Sequence, residues 1–189
     1  MSMLDVTQLA PEQRRPITRA EYQALGDAGF FQDERVELLD GVIVRMSARS
    51  ARHDSVIERL SELLIPRLVG RARVRIQLGF AASEYSEPEP DVAVVLKSEP
   101  REDHPAHATL LVEVSASTLR FDRTAKASIY ARAGVPAYFI VNVSARCIEA
   151  YMAPEAGRYT ETRTYVGDES VAVPGFPDVT FSANDVFAD

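Results

Sequence analysis

The chain has 189 residues, of which 46% are hydrophobic and 26% are charged, a composition typical of one soluble globular domain with a substantial core. Its net charge of −7 disfavours a general nucleic-acid coat protein, because lysine and arginine supply the affinity for phosphate. Its single cysteine, Cys147, excludes an internal disulfide and a zinc site built from cysteines.

The sequence shows no targeting or membrane segment. The N-terminus has neither a basic start nor an apolar run, and no stretch approaches the roughly 20 apolar residues that a membrane span needs. We therefore expect a cytoplasmic protein with no membrane partner. Residues 1–15 are polar and are predicted to be flexible, whereas residues 16–189 are predicted to form a single domain, because no repeat or linker interrupts them.

Helical and hairpin signals alternate at the start of this domain. Residues 18–21 have the spacing of a capping box and predict a short helix that ends near Gly26. Two β-prone runs, residues 35–39 and 42–46, flank an Asp-Gly pair and predict a hairpin. From residue 50 to 68 the apolar residues recur at helical spacing, with arginines on the opposite face.

The middle of the chain predicts strands of two kinds. Residues 71–80 alternate between apolar and polar side chains, which predicts a strand with one solvent-exposed face. Residues 92–96, 110–114 and 137–141 are short continuous apolar runs, as in strands covered on both faces. The alternating strand would turn Val74, Ile76, Leu78 and Phe80 to one side and Arg73, Arg75 and Gln77 to the other.

Residues 122–133 predict a second long helix, with Asp122 as its candidate N-cap. Further strands are predicted at residues 147–151, 158–165 and 169–173. The order of the elements predicts a mixed α/β domain in which helices flank a central sheet.

Charge is distributed unevenly between two parts of the chain. Residues 45–75 hold eight arginines and three acids, whereas residues 84–113 hold eight acids and two basic residues. A basic element beside an acidic, metal-attracting one would suit a polyanion that is cleaved with Mg²⁺. A solvated amphipathic helix and a charged strand face would give the same pattern.

Asp91 and Glu113 are the strongest candidates for chemistry, because each lies at the edge of an apolar run. A buried acid is costly unless it is paired, hydrogen-bonded or bound to metal. Glu113 interrupts an apolar run, whereas Asp91 follows Pro90 and also fits a turn residue. Two adjacent strands that each present one carboxylate offer the hard oxygen ligands that Mg²⁺ prefers.

The other candidates are ambiguous when taken singly. Lys126 lies on the predicted helix, four residues before Tyr130 and on the same face. Lys126, Glu37 and His53 also fit ordinary surface residues, and Gln77 is uninformative alone.

In combination and in order, these residues resemble the Uma-two family of restriction-endonuclease-like proteins, within the PD-(D/E)XK nuclease superfamily. The resemblance covers residues 17–152 and implies a restriction-endonuclease-like core. The segments that carry it are Glu37-Leu38-Leu39-Asp40-Gly41, His53 before a helix, Glu89-Pro90-Asp91-Val92-Ala93-Val94-Val95, Leu111-Val112-Glu113-Val114-Ser115, Asp122-x-x-x-Lys126-x-x-x-Tyr130 and Gly134-Val135-Pro136-Ala137-Tyr138-Phe139-Ile140-Val141.

The resemblance implies a metal-dependent DNA endonuclease. Asp91 and Glu113, with the Val114 carbonyl, would hold Mg²⁺ or Mn²⁺, and Glu37 would orient a metal-bound water. The residue two positions after Glu113 is Ser115 rather than the superfamily's lysine. Lys126 on the following helix would take the lysine's role and stabilise negative charge. The side chains expected to contact the DNA substrate or line its cleft are Gln77, Tyr130, His53, Arg73 and Arg75, and the other arginines of residues 49–75 are further candidates for phosphate contacts.

Two other functions stay open at this point. A catalytically silent module that keeps the nuclease fold and binds nucleic acid or a protein would fit the acidic net charge. A hydrolase with Asp91 and Glu113 as an acid–base pair is also compatible, although the absence of tryptophan disfavours a sugar-stacking site. The strand-rich tail, with Tyr151, Tyr159 and Tyr165, would allow a homodimer.

Overall fold

The structure, a computed structural model, describes Ala10 and residues 13–188. Most of the predicted flexible segment, residues 1–15, lies outside the described residues. Six strands form the main sheet in the order β3-β4-β5-β6-β7-β8, and only β5 and β6 run parallel. These strands are β3 (Ala72–Ile76), β4 (Val92–Leu96), β5 (Leu110–Ser115), β6 (Ala137–Asn142), β7 (Cys147–Glu155) and β8 (Arg158–Val166).

Two smaller antiparallel pairs accompany the main sheet. The first is the predicted hairpin, β1 (Val36–Leu39) and β2 (Val42–Arg45). Its turn residues have positive φ angles, 47° at Asp40 and 77° at Gly41, which is the reason for the Asp-Gly pair. The second pair is β9 (Ser170–Val173) and β10 (Phe176–Ser182).

Helices cover both faces of the sheet, as predicted. The long helix α2 (Ala51–Leu68) packs on one face through Val56, Ile57 and Leu60 together with further leucines. The opposite face is covered by a helical segment made of α3 (Leu119–Phe121), a π-helical turn (Asp122–Lys126) and α4 (Ala127–Arg132). The remaining helices are α1 (Arg19–Asp27), with the predicted capping box, and α5 (Ala183–Phe187).

The helical segment on the second face differs from its prediction. The sequence placed the N-cap at Asp122, and this is wrong, because the helix begins at Leu119 and Asp122 lies inside it. The Ala127 N–H reaches back to the Asp122 carbonyl, the wider spacing of a π-helix. Such turns are hard to read from sequence because their residues are ordinary helix formers.

The predicted strand over residues 71–80 is also shorter than expected. It ends at Ile76, because Gln77 adopts a left-handed conformation with φ of 52° and turns the chain. Leu78 is therefore exposed, whereas Phe80 is fully buried in the hydrophobic core between the sheet and the π-helical segment. The alternation of apolar and polar side chains therefore breaks at Gln77.

The C-terminal part completes the hydrophobic core between α2 and the sheet. Phe181 and Val186, from β10 and α5, are buried with the apolar face of α2. The sequence predicted no element after residue 173. Within Ala10 and residues 13–188, no helix combines the length and apolar content needed to cross a bilayer.

Candidate active site

A cleft of about 510 Å³ opens between the β1–β2 hairpin, the start of α2 and the carboxyl end of β5. The π-helical turn forms its remaining wall. Its lining includes Glu37, Asp91, Glu113 and Lys126, the four residues predicted to be catalytic, together with His53. Five separate segments of the chain thus bring these five side chains into one cavity.

Asp91 precedes the first residue of β4 and is held by three donors. Its Oδ2 accepts the Val114 N–H at 2.8 Å and faces His53 Nε2 at 3.2 Å. Its Oδ1 accepts a hydrogen bond from Gln77 Nε2 at 3.2 Å. The backbone bond ties Asp91 directly to the strand that carries Glu113.

These donors decide the charge of Asp91. Burial alone would raise the pKa of Asp91, but the bonds from His53, the Val114 N–H and Gln77 outweigh burial and hold the pKa below its ordinary value. In return, the bond to Asp91 raises the pKa of His53 against the opposing effect of burial. Asp91 is therefore ionised at neutral pH.

Glu113 lies on β5 and is fixed by two donors that meet on one oxygen. Its Oε1 accepts bonds from Lys126 Nζ at 2.9 Å and from the Tyr130 hydroxyl at 2.6 Å. Both donors come from the helical segment above the sheet, four residues apart, so that they share one face. The arrangement leaves Oε2 of Glu113 as the oxygen without a bond from any described side chain.

Lys126 is a buried cation between two carboxylates. Its Nζ lies 2.9 Å from Glu113 Oε1 and 3.2 Å from Glu37 Oε2. Burial would lower the pKa of Lys126, but Glu113 and Glu37 raise it above its ordinary value. Burial raises the pKa of Glu113, and Lys126 opposes that shift. Lys126 is thus charged and forms ion pairs with both Glu113 and Glu37.

Glu37 enters the site from the hairpin rather than from the main sheet. Its Oε2 also accepts the Glu89 N–H at 3.2 Å. The hairpin is attached to the loop between β3 and β4 by a bridge between Leu38 and Glu87. The position of Glu37 therefore depends on how this small sheet docks.

Asp122 is a cleft residue that the sequence interpretation missed. It was assigned to a helix cap, but it lines the cleft and accepts a bond from the Thr118 hydroxyl at 2.6 Å. Burial raises its pKa, and the Thr118 bond opposes this shift. The Asp122-x-x-x-Lys126 spacing was the signal, because residues four apart share a helix face.

The five residues predicted to contact substrate fall into three groups. His53 lines the cleft and lies on the first turn of α2, which the Ser50 side chain caps. Gln77 does not line the cleft but donates a hydrogen bond to Asp91. Tyr130 is fully buried beneath Glu113 and does not line the cleft. Arg73 and Arg75 also lie away from it. They donate to the carbonyls of Glu99 and Pro100 and of Gly79, respectively.

Other cationic side chains do stand at the cleft. The cleft is lined by Arg35, just before the hairpin, by Arg45, at its end, and by Arg49, before α2. Arg35 pairs with Glu89, Arg45 pairs with Glu34, and Arg49 bonds the side-chain oxygen of Gln77. The sequence signal for Arg49 was the run of arginines, but nothing in sequence distinguished it from Arg73.

The cleft offers oxygen ligands to a divalent cation. Within the described part of the chain, no three His, Cys, Asp or Glu side chains form a preassembled metal cluster. Mg²⁺ needs fewer, because it keeps several waters and binds through one or two carboxylates. Asp91 and Glu113 supply two, and the Val114 carbonyl points to the same side of its strand as the N–H that reaches Asp91. These residues fit such an ion.

Comparisons with known proteins agree with the fold. A crystal structure of a "putative nuclease" of the DUF820 group from Anabaena variabilis matches with a TM-score of 0.69 at 18% sequence identity, over 92% of this chain and 98% of that one. No curated protein sequence matches the chain. The family model Uma2, described as "Putative restriction endonuclease", matches residues 19–184. Because this match spans most of the sequence, the chain belongs to the Uma2 family.

Proposed function

We propose that this protein is a Mg²⁺- or Mn²⁺-dependent DNA endonuclease. The observation that carries the proposal is the convergence of Asp91, Glu113, Glu37 and Lys126 in one cleft at the end of β5. Three acids face one lysine there, so the cleft has an excess of negative charge that favours a bound cation. The family's description as restriction endonucleases supports DNA as the substrate.

A divalent ion bound by Asp91 and Glu113 would polarise the scissile phosphate and lower the pKa of the attacking water. The residues of the chain would do the rest. Because Lys126 and Tyr130 occupy Oε1 of Glu113, the other oxygen is presented to the cleft. Because the Val114 N–H and Gln77 hold Asp91, its carboxylate is fixed before the ion arrives.

Lys126 would stabilise the negative charge that grows on the phosphate during cleavage. Its ammonium is buried and already oriented by two carboxylates, so little reorganisation is needed when charge develops. Glu37 accepts from the same ammonium and would orient the water opposite the leaving group. Arg45 and Arg49 at the rim would contact flanking phosphates, which positions the DNA without reading its sequence.

Plasmid cleavage with Mg²⁺ or Mn²⁺ tests the proposal. We expect nicking or linearisation by the wild type and none by Glu113→Gln, since the amide cannot serve as an anionic ligand. Glu99→Gln is the matched control, because Glu99 is a partly buried glutamate that pairs with a basic residue, His107, and does not line the cleft. Cleavage by Glu113→Gln at the wild-type rate, or in excess EDTA, would refute the metal mechanism.

A second candidate is a non-catalytic module with the nuclease fold. It is favoured by one observation: Lys126 already pairs with Glu113 and Glu37, and His53 already bonds Asp91, so each of these three acids has a basic partner without a metal. Calorimetric titration with Mn²⁺ separates the two. Heat of binding that disappears in Glu113→Gln supports the enzyme, whereas no heat, with DNA affinity unchanged by that substitution, supports the module.

A further inference from the structure

A second cleft, of about 330 Å³, lies beside the candidate active site. Two arginines line it, Arg52 from the first turn of α2 and Arg146 from the turn between β6 and β7. Two hydroxyl side chains, Ser55 and Ser144, line it as well. Among the described residues that line it, none is acidic.

The two clefts are lined by the start of the same helix, α2, and by the ends of two neighbouring strands. The active-site cleft is lined by residues that follow β5, and the second cleft by residues that follow the parallel neighbour β6. The Val143 N–H donates to the Ser115 carbonyl at 3.0 Å and joins the two chain ends. On α2, His53 lines the first cleft and its neighbour Arg52 lines the second. A polymer bound in the first cleft and extended along this edge would therefore come next to the second cleft.

The charges of the two clefts differ. Five carboxylates and four cationic side chains line the active-site cleft, so a phosphate there needs a metal to offset the acids. The second cleft offers two guanidinium groups, and its described lining residues include no acid to oppose them. Guanidinium forks match phosphate oxygens in geometry, and serine hydroxyls are common additional donors to DNA phosphates.

The two arginines are prepared for a ligand in different ways. Arg146 is held in place, since its Nη2 donates to the Phe187 carbonyl at 2.8 Å and its guanidinium lies 5.1 Å from the Phe187 ring centre. Arg52 is exposed, and no hydrogen bond or ion pair engages it in the part of the chain that the structure describes. One cation is thus fixed and the other is available.

We infer that this second cleft binds a backbone phosphate of the DNA next to the scissile one, through Arg52 and Arg146. The inference rests on the proposed endonuclease function and adds a contact that needs no metal. It therefore predicts that part of the DNA affinity persists when divalent ions are removed.

The salt dependence of DNA binding tests the inference. Binding of a fluorescent duplex is measured by anisotropy in EDTA at several salt concentrations, and a duplex of arbitrary sequence suffices because phosphate contacts are independent of sequence. Each phosphate contact contributes about 0.9 to the slope of log affinity against log salt. We expect Arg52→Ala to lower the slope by roughly that amount and Arg52→Lys to restore it.

Arg158→Ala is the matched control. Arg158 is exposed and lies at the start of β8, at the opposite end of the sheet from the β6–β7 turn. We expect its slope to equal that of the wild type. Equal slopes for Arg52→Ala and Arg158→Ala would overturn the inference, because Arg52 would then contact no phosphate.

Further results distinguish this phosphate site from the endonuclease proposal and from a site for a small anion. If the wild type cleaves plasmid but Arg52→Ala keeps the wild-type salt slope, the phosphate site fails and the endonuclease proposal stands. If the wild type neither binds nor cleaves DNA, both fail. Free inorganic phosphate offers the same oxygens, so it is titrated separately. Phosphate binding that Arg52→Ala abolishes, with an unchanged DNA slope, would assign the cleft to a small anion instead.

Discussion

One oxygen of Glu113 carries two hydrogen bonds, and this detail has consequences for its partner Tyr130. The Tyr130 side chain is fully buried and its hydroxyl is 2.6 Å from Glu113 Oε1. It touches no open part of the cleft, so its role is to position Glu113. Burial together with the adjacent Glu113 carboxylate raises the pKa of Tyr130 well above its ordinary value, so the hydroxyl stays a donor.

Tyr130→Phe is therefore expected to weaken Mn²⁺ binding about tenfold or more, the usual effect of removing a partner that orients a metal ligand. It should also lower the free energy of unfolding by roughly 1.5 to 3 kcal/mol, because the lost bond goes to a charged group. Calorimetric Mn²⁺ titration and urea unfolding measure the two effects.

Tyr138→Phe provides the control for that prediction. Tyr138 is equally buried and packs against Tyr130 with ring centres 5.0 Å apart, but its hydroxyl donates to the Asp122 carbonyl at 3.2 Å. We expect a smaller loss of stability, about 0.5 to 1.5 kcal/mol, and unchanged Mn²⁺ binding. If both variants weakened Mn²⁺ binding equally, Tyr130 would have no special role at Glu113.

At the scale of residues, the sequence predicted that Asp91 and Glu113 lie together, and they line one cleft. The predicted positions of several residues around them were wrong. Asp91 and Glu113 were identifiable because an acid at the edge of an apolar run needs a partner. Gln77 was expected to point with Arg73 and Arg75, but its left-handed backbone separates it from them and turns it to Asp91. Strand alternation could not reveal this, because one residue with positive φ resets the pattern.

At the scale of elements, the π-helical turn is anchored to β7 by one ion-pair cluster. Arg123 donates to both oxygens of Glu149 at 2.8 and 2.7 Å, and Asn142 and Tyr151 donate to the same carboxylate. Burial would raise the pKa of Glu149, but the bonds from Arg123 and Asn142 hold it below its ordinary value of 4.5.

The sign of this shift sets a pH dependence. A carboxyl with a lowered pKa in the folded state adds stability above its unfolded pKa and loses it as the pH falls through the folded value. The stability advantage of the wild type over Glu149→Gln should therefore be full at pH 7 and decline below about pH 4.5. Urea unfolding of both proteins across this range measures it, and a difference independent of pH would contradict it.

Elements were predictable where local signals agreed. The capping box at Thr18, the Asp-Gly turn and the amphipathic pattern of α2 each gave the observed element. The start of the helical segment at Leu119 was missed, because Asp122 is a good cap by residue type and only packing shows that it faces the cleft. Strand β10 was missed because Pro177 interrupts its pattern.

At the scale of the whole molecule, the C-terminal part belongs to the same core as the sheet. Phe181 is 1% exposed and its ring centre lies 6.4 Å from that of Phe139 on β6. Phe181→Ala is expected to lower the free energy of unfolding by about 3 to 5 kcal/mol, the range for a buried phenylalanine. Phe30→Ala, at a side chain that is 69% exposed, should change it little.

Urea unfolding of the wild type also tests the prediction that residues 16–189 form a single domain. Tyrosine fluorescence and far-ultraviolet circular dichroism should give coincident transitions, because one core joins α2, the sheet and β10. Two separated transitions would show that the C-terminal pair β9–β10 unfolds independently. The sequence supported one domain by its length, but it gave no sign of how the tail joins the core.

The order of the four cleft residues along the chain has a consequence for biosynthesis. Glu37, Asp91 and Glu113 leave the ribosome before Lys126, which is the cation between the first and the last of them. Until Lys126 is added, no cation lies between Glu37 and Glu113, so bringing their two buried carboxylates together costs electrostatic repulsion. The cleft can therefore take its observed form only after synthesis has passed Lys126.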